Sequence, residues 1–175
     1  MESLSTRDEN YIYLLTLDTN VIMTHWKNQK KAYVVQKLLD LSGKGKIDLA
    51  ITARIHEDIP NPPLKDKIDN LKEININKVS TVLTMDHSQI ERDMIGDNNF
   101  VDHIKLIVEK FQKNSENPPD WRDFDHLHAH FLLNRDIFLT WDKKIIKIAE
   151  DLNKLLGIVI MRPEKFLDIF LNREL

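Results

Sequence analysis

Tyr11-Ile12-Tyr13-Leu14-Leu15-Thr16-Leu17-Asp18-Thr19-Asn20 is the stretch whose reading organises the rest of the chain. A short β-prone apolar run stops at three residues that favour turns and helix caps, as a buried strand does on leaving a sheet. Working outward, Ala32, Val35, Leu38 and Leu39 recur at helical spacing, which predicts one helix from Val21 to Leu41, stopped by Gly43 and Gly45. Ile47 to Thr52 predicts a second buried strand, and Ala53 to Ile59 a turn of helix. Far along the chain, Asp136-Ile137-Phe138-Leu139-Thr140 repeats the opening theme, an apolar strand that ends at Trp141-Asp142.

Between these landmarks the other elements fall into alternation. Pro60-Asn61-Pro62-Pro63 breaks the chain, and Pro60 to Trp121 is its least legible part. Within it we expect a helix over Ile68 to Ile74, a short strand near Val79 to Leu83 and a helix over Asn99 to Lys113, closed by Asn117-Pro118-Pro119. Phe124, Leu127 and Phe131 define a helix face over Asp123 to Asn134. Lys143 to Leu156 is amphipathic and ends at Gly157; Ile158 to Met161 predicts a strand, and Pro163 opens a terminal helix over Glu164 to Leu171. Strands alternating with helices predict a three-layer α/β/α sandwich around a central parallel sheet.

At 175 residues the chain is the size of one domain, spanning 1–175. With no cysteine, disulfides and thiolate zinc sites are excluded. The first ten residues lack the basic start and apolar core of a secretion signal, and no window reaches the apolar length of a membrane span. A cytosolic, membrane-free protein is the expectation. Net charge is −3, so no bulk attraction draws nucleic acid to it.

The chemistry lies in the carboxylates. Asp18 and Asp142 each follow an apolar strand, and in a parallel sheet both fall on the carboxyl-end rim, where such folds bind ligands. Asp123 and Asp125 open a helix at that rim, and Glu57 and Asp58 follow the second strand by a few residues. Acids gathered on one edge repel each other and raise one another's pKa unless cations join them. Mg²⁺ or Mn²⁺, hard ions that take oxygen ligands, are the natural partners, and one or two of them suit phosphodiester hydrolysis. Against this stands the common use of a strand-end Asp as a helix N-cap, for which Asp142 before Lys143 is a typical case.

Asp18-Thr19-Asn20-Val21-Ile22, the block from Asp123 to Asp142 and the closing Gly157 to Phe166, with its Pro-x-x-Phe ending, resemble the PIN-domain family. The likeness covers the first 60 and last 55 or so residues; the segment at about 60–121 is divergent. The resemblance implies a metal-dependent endoribonuclease in which Asp18 bridges the metals and Asp142 ligates directly or through water. Asn20 holds the first turn and Thr140 is a supporting hydroxyl. Asp123 matches the third acid with Asp125 as its alternative; for the second acid, family spacing from Thr52 favours Asp58, while Glu57 has the more usual side chain. It further implies a toxin-like RNase with an antitoxin protein partner and a homodimeric state. The rival expectation is a PIN-like module that binds nucleic acid or protein without cutting.

Other residues tempt less. His126, His128 and His130 would line one side of a strand as a zinc site, but on a helix only His126 and His130 share a face. Those two are expected as polar packing or as phosphate contacts near Asp123. Lys143, with Lys144 and Lys147, and Lys27, Lys30 and Lys31 would supply a local basic rim for RNA, against the ordinary reading of a solvated face. Trp26, Trp121 and Trp141 flank the proposed site as stacking candidates or half-buried packing.

Overall fold

A computed structural model describes residues 11–59, 67, 76–79, 98–113 and 119–172. The elements, in chain order, are β1 (Tyr13–Leu17), α1 (Thr19–Trp26), α2 (Ala32–Gly43), β2 (Ile47–Thr52), α3 (Ile55–Asp58), β3 (Ile76–Val79), α4 (Asn98–Lys113), α5 (Trp121–Leu132), β4 (Ile137–Leu139), α6 (Lys143–Leu156), β5 (Ile160–Met161) and α7 (Pro163–Leu171). Among the described residues the strands form one five-stranded sheet, ordered β3-β2-β1-β4-β5, and all its pairings are parallel.

The pleat of the central strands sorts side chains into two cores. Tyr13, Leu15 and Leu17 of β1, Ile47, Leu49 and Ile51 of β2 and Ile137 and Leu139 of β4 share one core with α1, α2 and α7. Phe138, between two of these, points the other way and packs with residues of α4, α5 and α6. On that second face Ala50 of β2 meets Ala129 of α5, two small residues that let helix and sheet approach closely. The arrangement is the expected three-layer α/β/α sandwich. Leu15, Leu17 and Phe138 are 0–1 % exposed, and each contributes about 1.5–3 kcal/mol by burial.

Several boundaries differ from the sequence reading, each for a local reason. The helix expected from Val21 to Leu41 is two helices, because Asn28 adopts a left-handed conformation (φ 48°) between them. There the Gln29 N–H bonds the Thr24 carbonyl and the Asn28 N–H bonds that of His25, which closes α1 as a Schellman motif. Asn tolerates this conformation better than other non-glycine residues, and Asn134 (φ 47°) ends α5 in the same way. The helix before β4 starts at Trp121 and not at Asp123, because Asp120 caps it in a reciprocal capping box with Asp123. The last strand shortens to Ile160–Met161. β3 lies at Ile76–Val79, slightly ahead of the expected Val79 to Leu83, while the helix expected over Ile68 to Ile74 falls outside the described residues. Met161, Phe166 and Phe170 are core, and among the described residues no helix is long and apolar enough to cross a membrane.

The sheet order fixes where function can sit. From β1 the chain goes to β2 on one side, and later returns to place β4 on the other side. That reversal is a topological switch point, and it opens a crevice beyond the carboxyl ends of β1 and β4. Leu17 pairs with Leu139 in register, and the Asp18 N–H extends the ladder to the Leu139 carbonyl at 3.0 Å.

Candidate active site at the carboxyl ends of β1 and β4

The two strand ends are stitched together by side chains. Thr140, fully buried just after β4, donates its hydroxyl to Asp18 Oδ2 at 2.5 Å and accepts the Asp142 N–H at 2.8 Å. Asn20 Nδ2 donates to Asp18 Oδ2 (2.5 Å) and to Thr140 Oγ1 (3.1 Å), while its Oδ1 accepts the Trp141 N–H (3.2 Å). The turn after β1 is thus held to the turn after β4 by Asn20 and Thr140. Asp18 itself is 5 % exposed. Burial raises its pKa above the usual carboxylate range, opposed by His126 and the Thr140 hydroxyl and reinforced by Asp142.

Asp123 and Asp142 belong to the same electrostatic neighbourhood. Burial, then the charges of Asp18 and Asp142, push the Asp123 carboxyl up to about 6. Both side chains also serve their helices. Asp142 Oδ1 accepts the N–H groups of Lys144 (2.6 Å) and Ile145 (3.2 Å), so the N-cap reading of this residue is correct as far as it goes. Asp123 Oδ2 accepts the Asp120 N–H at 2.8 Å. A cap uses one oxygen of a carboxylate and leaves its charge in place.

The structure separates both ambiguous pairs. Asp58 faces inward and Glu57 outward: the Glu57 side chain is 54 % exposed and reaches Arg54 Nη1 at 3.3 Å. Asp123 faces the site, whereas Asp125 is sealed in the interior with its side chain 0 % exposed, 2.6 Å from Arg54 Nη1. Asp125 is therefore an ion-pair partner of Arg54 and not a rim carboxylate.

Asp58 has a different environment from the other three acids. Its Oδ2 accepts from the Thr19 hydroxyl at 2.8 Å and lies 2.7 Å from His126 Nε2. His126 Nδ1 is hydrogen-bonded in turn to the buried Thr52 hydroxyl. Burial works against charge on Asp58, but the hydrogen bond and charge of His126, then Thr19 and Arg54, outweigh it and hold the carboxyl below its usual range. Burial likewise opposes charge on His126; the bond to Asp58 and the charges of Asp18, Asp58 and Asp123 overcome it and raise the imidazole pKa.

The other two histidines divide as a helix requires. His128 stacks on Phe100, with ring centroids 4.6 Å apart. His130 is buried beneath the sheet, its Nδ1 2.9 Å from Thr16 Oγ1, and burial followed by the nearby Arg135 takes its pKa down to about 3. It is polar packing and does not reach the rim as a phosphate contact. Lys143 is exposed at the first position of α6, beside Asp142. Trp141 is half-buried, its indole N–H bonded to Glu164 (2.7 Å) and its ring face covered by Lys31 Nζ at 5.1 Å, which is packing at the rim of the site. Arg54, with its three acidic neighbours, and the Thr19 and Thr52 hydroxyls were missed by the sequence reading. Thr19 lies within the Asp18-Thr19-Asn20 motif but was given no role there, and no motif marks Arg54 or Thr52, whose contacts form only when α3 and α5 meet.

The donor chemistry suits a hard divalent cation: three carboxylates repel one another, and the groups around them are hydroxyls and amides. Among the described residues, however, no three His, Asp or Glu side chains stand in an arrangement that could hold an ion directly. Each rim carboxylate has an oxygen committed to Thr140 and Asn20 or to a helix end. Mg²⁺ dehydrates reluctantly and commonly keeps several waters, so binding through its water shell fits such a set. No family model matches the chain, and a comparison with curated proteins finds no match.

Proposed function

We propose that this chain is a metal-dependent endoribonuclease of the PIN type, hydrolysing RNA phosphodiester bonds at the carboxyl ends of β1 and β4. The observation that carries the reading is the gathering of Asp18, Asp123 and Asp142 in the switch-point crevice, where burial first, reinforced by the charges of the neighbouring acids, raises the pKa of the first two. Folding has gathered negative charge where it costs stability, and a divalent cation relieves that cost. Asp18, Asp123 and Asp142 would hold Mg²⁺ or Mn²⁺, with Asp58 at the edge of the same rim. When bound, the ion would lower the pKa of a water and offset charge on the scissile phosphate.

The protein's own residues supply position. Thr140 and Asn20 fix the orientation of the Asp18 carboxylate, leaving its rotamer little freedom. The exposed Lys143 stands where it meets a polyanion approaching Asp142. The reading carries with it a cytosolic setting, an antitoxin protein as a regulator and a homodimer.

A second reading, a PIN-like module that binds nucleic acid or protein without cutting, is favoured by one observation, the lack of a direct three-ligand group among the described residues. One experiment separates the two. A panel of single-stranded RNAs is incubated with Mg²⁺, Mn²⁺ or EDTA and either the wild-type chain or the Asp18→Asn variant. Metal-dependent cutting that disappears in the variant supports the nuclease. A folded wild type that neither binds Mn²⁺ nor cuts would leave the binding module in its place.

A further inference from the structure

Trp141 stands one residue before Asp142, and its side chain is held from several sides. Its backbone N–H bonds Asn20 Oδ1 at 3.2 Å, and its indole N–H bonds Glu164 Oε2, at the start of α7, at 2.7 Å. Part of the side chain packs against the core shared by β1, α1, α2 and α7. Over one ring face lies the Lys31 ammonium, 5.1 Å from the ring centroid. Lys31 precedes α2, and its Nζ also pairs with Glu164 Oε1 at 2.6 Å; the two side chains are 46 % and 31 % exposed. Burial works against charge on Glu164, but the bonds from Lys31 and Trp141 outweigh it and hold the carboxyl below its usual range.

The indole is thus fixed while its cover is not. A half-exposed ion pair and an exposed cation–π contact are each weak, and a lysine carries its charge on a flexible four-carbon stem. If Lys31 leaves, Glu164 still accepts the Trp141 N–H and the ring keeps its anchor. Further exposed lysines lie nearby in the chain: Lys27 and Lys30 in the turn that leads to Lys31, and Lys143 just beyond Asp142. An aromatic platform among basic side chains is the chemistry that holds unpaired nucleotides.

Resting on the nuclease reading above, we propose that Trp141, Lys31 and Glu164 form a nucleotide subsite that selects single-stranded RNA. An unpaired base stacks on the indole in place of the Lys31 ammonium, and Lys31 turns to the adjoining phosphate. Glu164 holds the ring edge throughout. A base inside a duplex has both faces stacked on its neighbours and cannot take this place, so the subsite makes a choice of substrate that the carboxylates do not. Every base has a stacking face, and the subsite is therefore tolerant of sequence.

The test is binding of two labelled RNAs of one mixed sequence, a single strand and its duplex, to the full chain carrying Asp18→Asn, which leaves the RNA uncut on the nuclease reading. Fluorescence anisotropy with Mg²⁺ gives the affinities. In that background Trp141→Leu is expected to weaken single-strand binding by about tenfold and duplex binding by less than about twofold, with Trp141→Phe recovering most of the loss. Lys31→Met should lower the slope of log affinity against log salt by about 0.7, the release of one counterion from a single strand. Equal weakening of both RNAs by Trp141→Leu, or a salt slope untouched by Lys31→Met, would overturn the proposal. So would a chain that binds neither RNA. Cleavage of the same single strand by the wild type, with Mg²⁺ or EDTA, judges the nuclease reading separately. Cutting with an affinity unmoved by Trp141→Leu refutes the subsite alone, and stacking without cutting keeps the subsite and removes the nuclease. Should Trp141→Leu fail to fold, Lys31→Met, at a half-exposed side chain, leaves the decision to the salt slope.

Discussion

Asp123→Asn should make the metal-free chain more stable at neutral pH, although it removes a proposed ligand. Asp123 titrates at about 6 in the folded state, against an ordinary value of 3.8. A carboxyl whose pKa is raised by folding binds its proton more tightly in the native chain, so its contribution is favourable at low pH and is lost as pH rises from about 4 through about 6. At 1.36 kcal/mol per pKa unit the difference is worth about 3 kcal/mol. The side chain is only half-buried, and solvent screening brings the expected penalty to about 1–2 kcal/mol. Asparagine keeps an oxygen to accept the Asp120 N–H, so the helix cap survives the change. Metal-free thermal unfolding should therefore show the variant above wild type by about 2–8 °C at pH 7.5 and level with it near pH 3.5. Added Mg²⁺ should narrow the gap by stabilising the wild type alone. A variant less stable than wild type by the same amount at both pH values would refute the reasoning, because the loss would then be one of packing and not of charge.

Three further outcomes follow from the same contacts. Thr140→Val keeps the shape of a fully buried side chain but removes the hydroxyl shared by Asp18, Asn20 and Asp142, and should cost about 2–4 kcal/mol in urea unfolding; a loss under about 0.5 kcal/mol would mean that the stitch between β1 and β4 is dispensable. Arg54→Met strands the sealed carboxylate of Asp125 and should cost about 3–5 kcal/mol, much of it restored by the double change Arg54→Met with Asp125→Leu. His130 has its pKa depressed to about 3, so its neutrality supports the fold at neutral pH and that support is lost as pH falls from about 6.5 toward 3. Its ring NMR signals should stay in the neutral form down to about pH 4, and a titration midpoint near 6.5 would show that the ring is open to water.

The landmarks legible in the sequence were those set by local rules. The apolar run read over Tyr11 to Leu17 is a strand at Tyr13–Leu17, Ile47–Thr52 is a strand as read, and Gly157 ends α6 and Pro163 starts α7 as expected. Asn28 was missed because an asparagine inside an amphipathic pattern gives a weaker stop than a glycine, although it ends α1 with the same two hydrogen bonds. The start of α5 was placed late because Asp120 and Asp123 are both acceptable caps, and only the reciprocal bonds tell them apart. In the site, Asp18, Asn20, Thr140 and Asp142 were readable because each sits within a few residues of a strand end.

Sequence by itself determined that strands alternate with helices, and that Asp18 and Asp142 leave their strands on one rim. It did so because strand periodicity, turn residues and helix ends are properties of a few neighbouring residues. Which of Glu57 and Asp58, and which of Asp123 and Asp125, faces that rim was decided only by tertiary structure. α3 and α5 bring Arg54 to Asp125 and His126 to Asp58 across 71 and 68 residues of chain. A pairing between such distant residues leaves no trace in the local pattern, since the burial that makes each charge costly without its partner exists only once the helices have packed against the sheet.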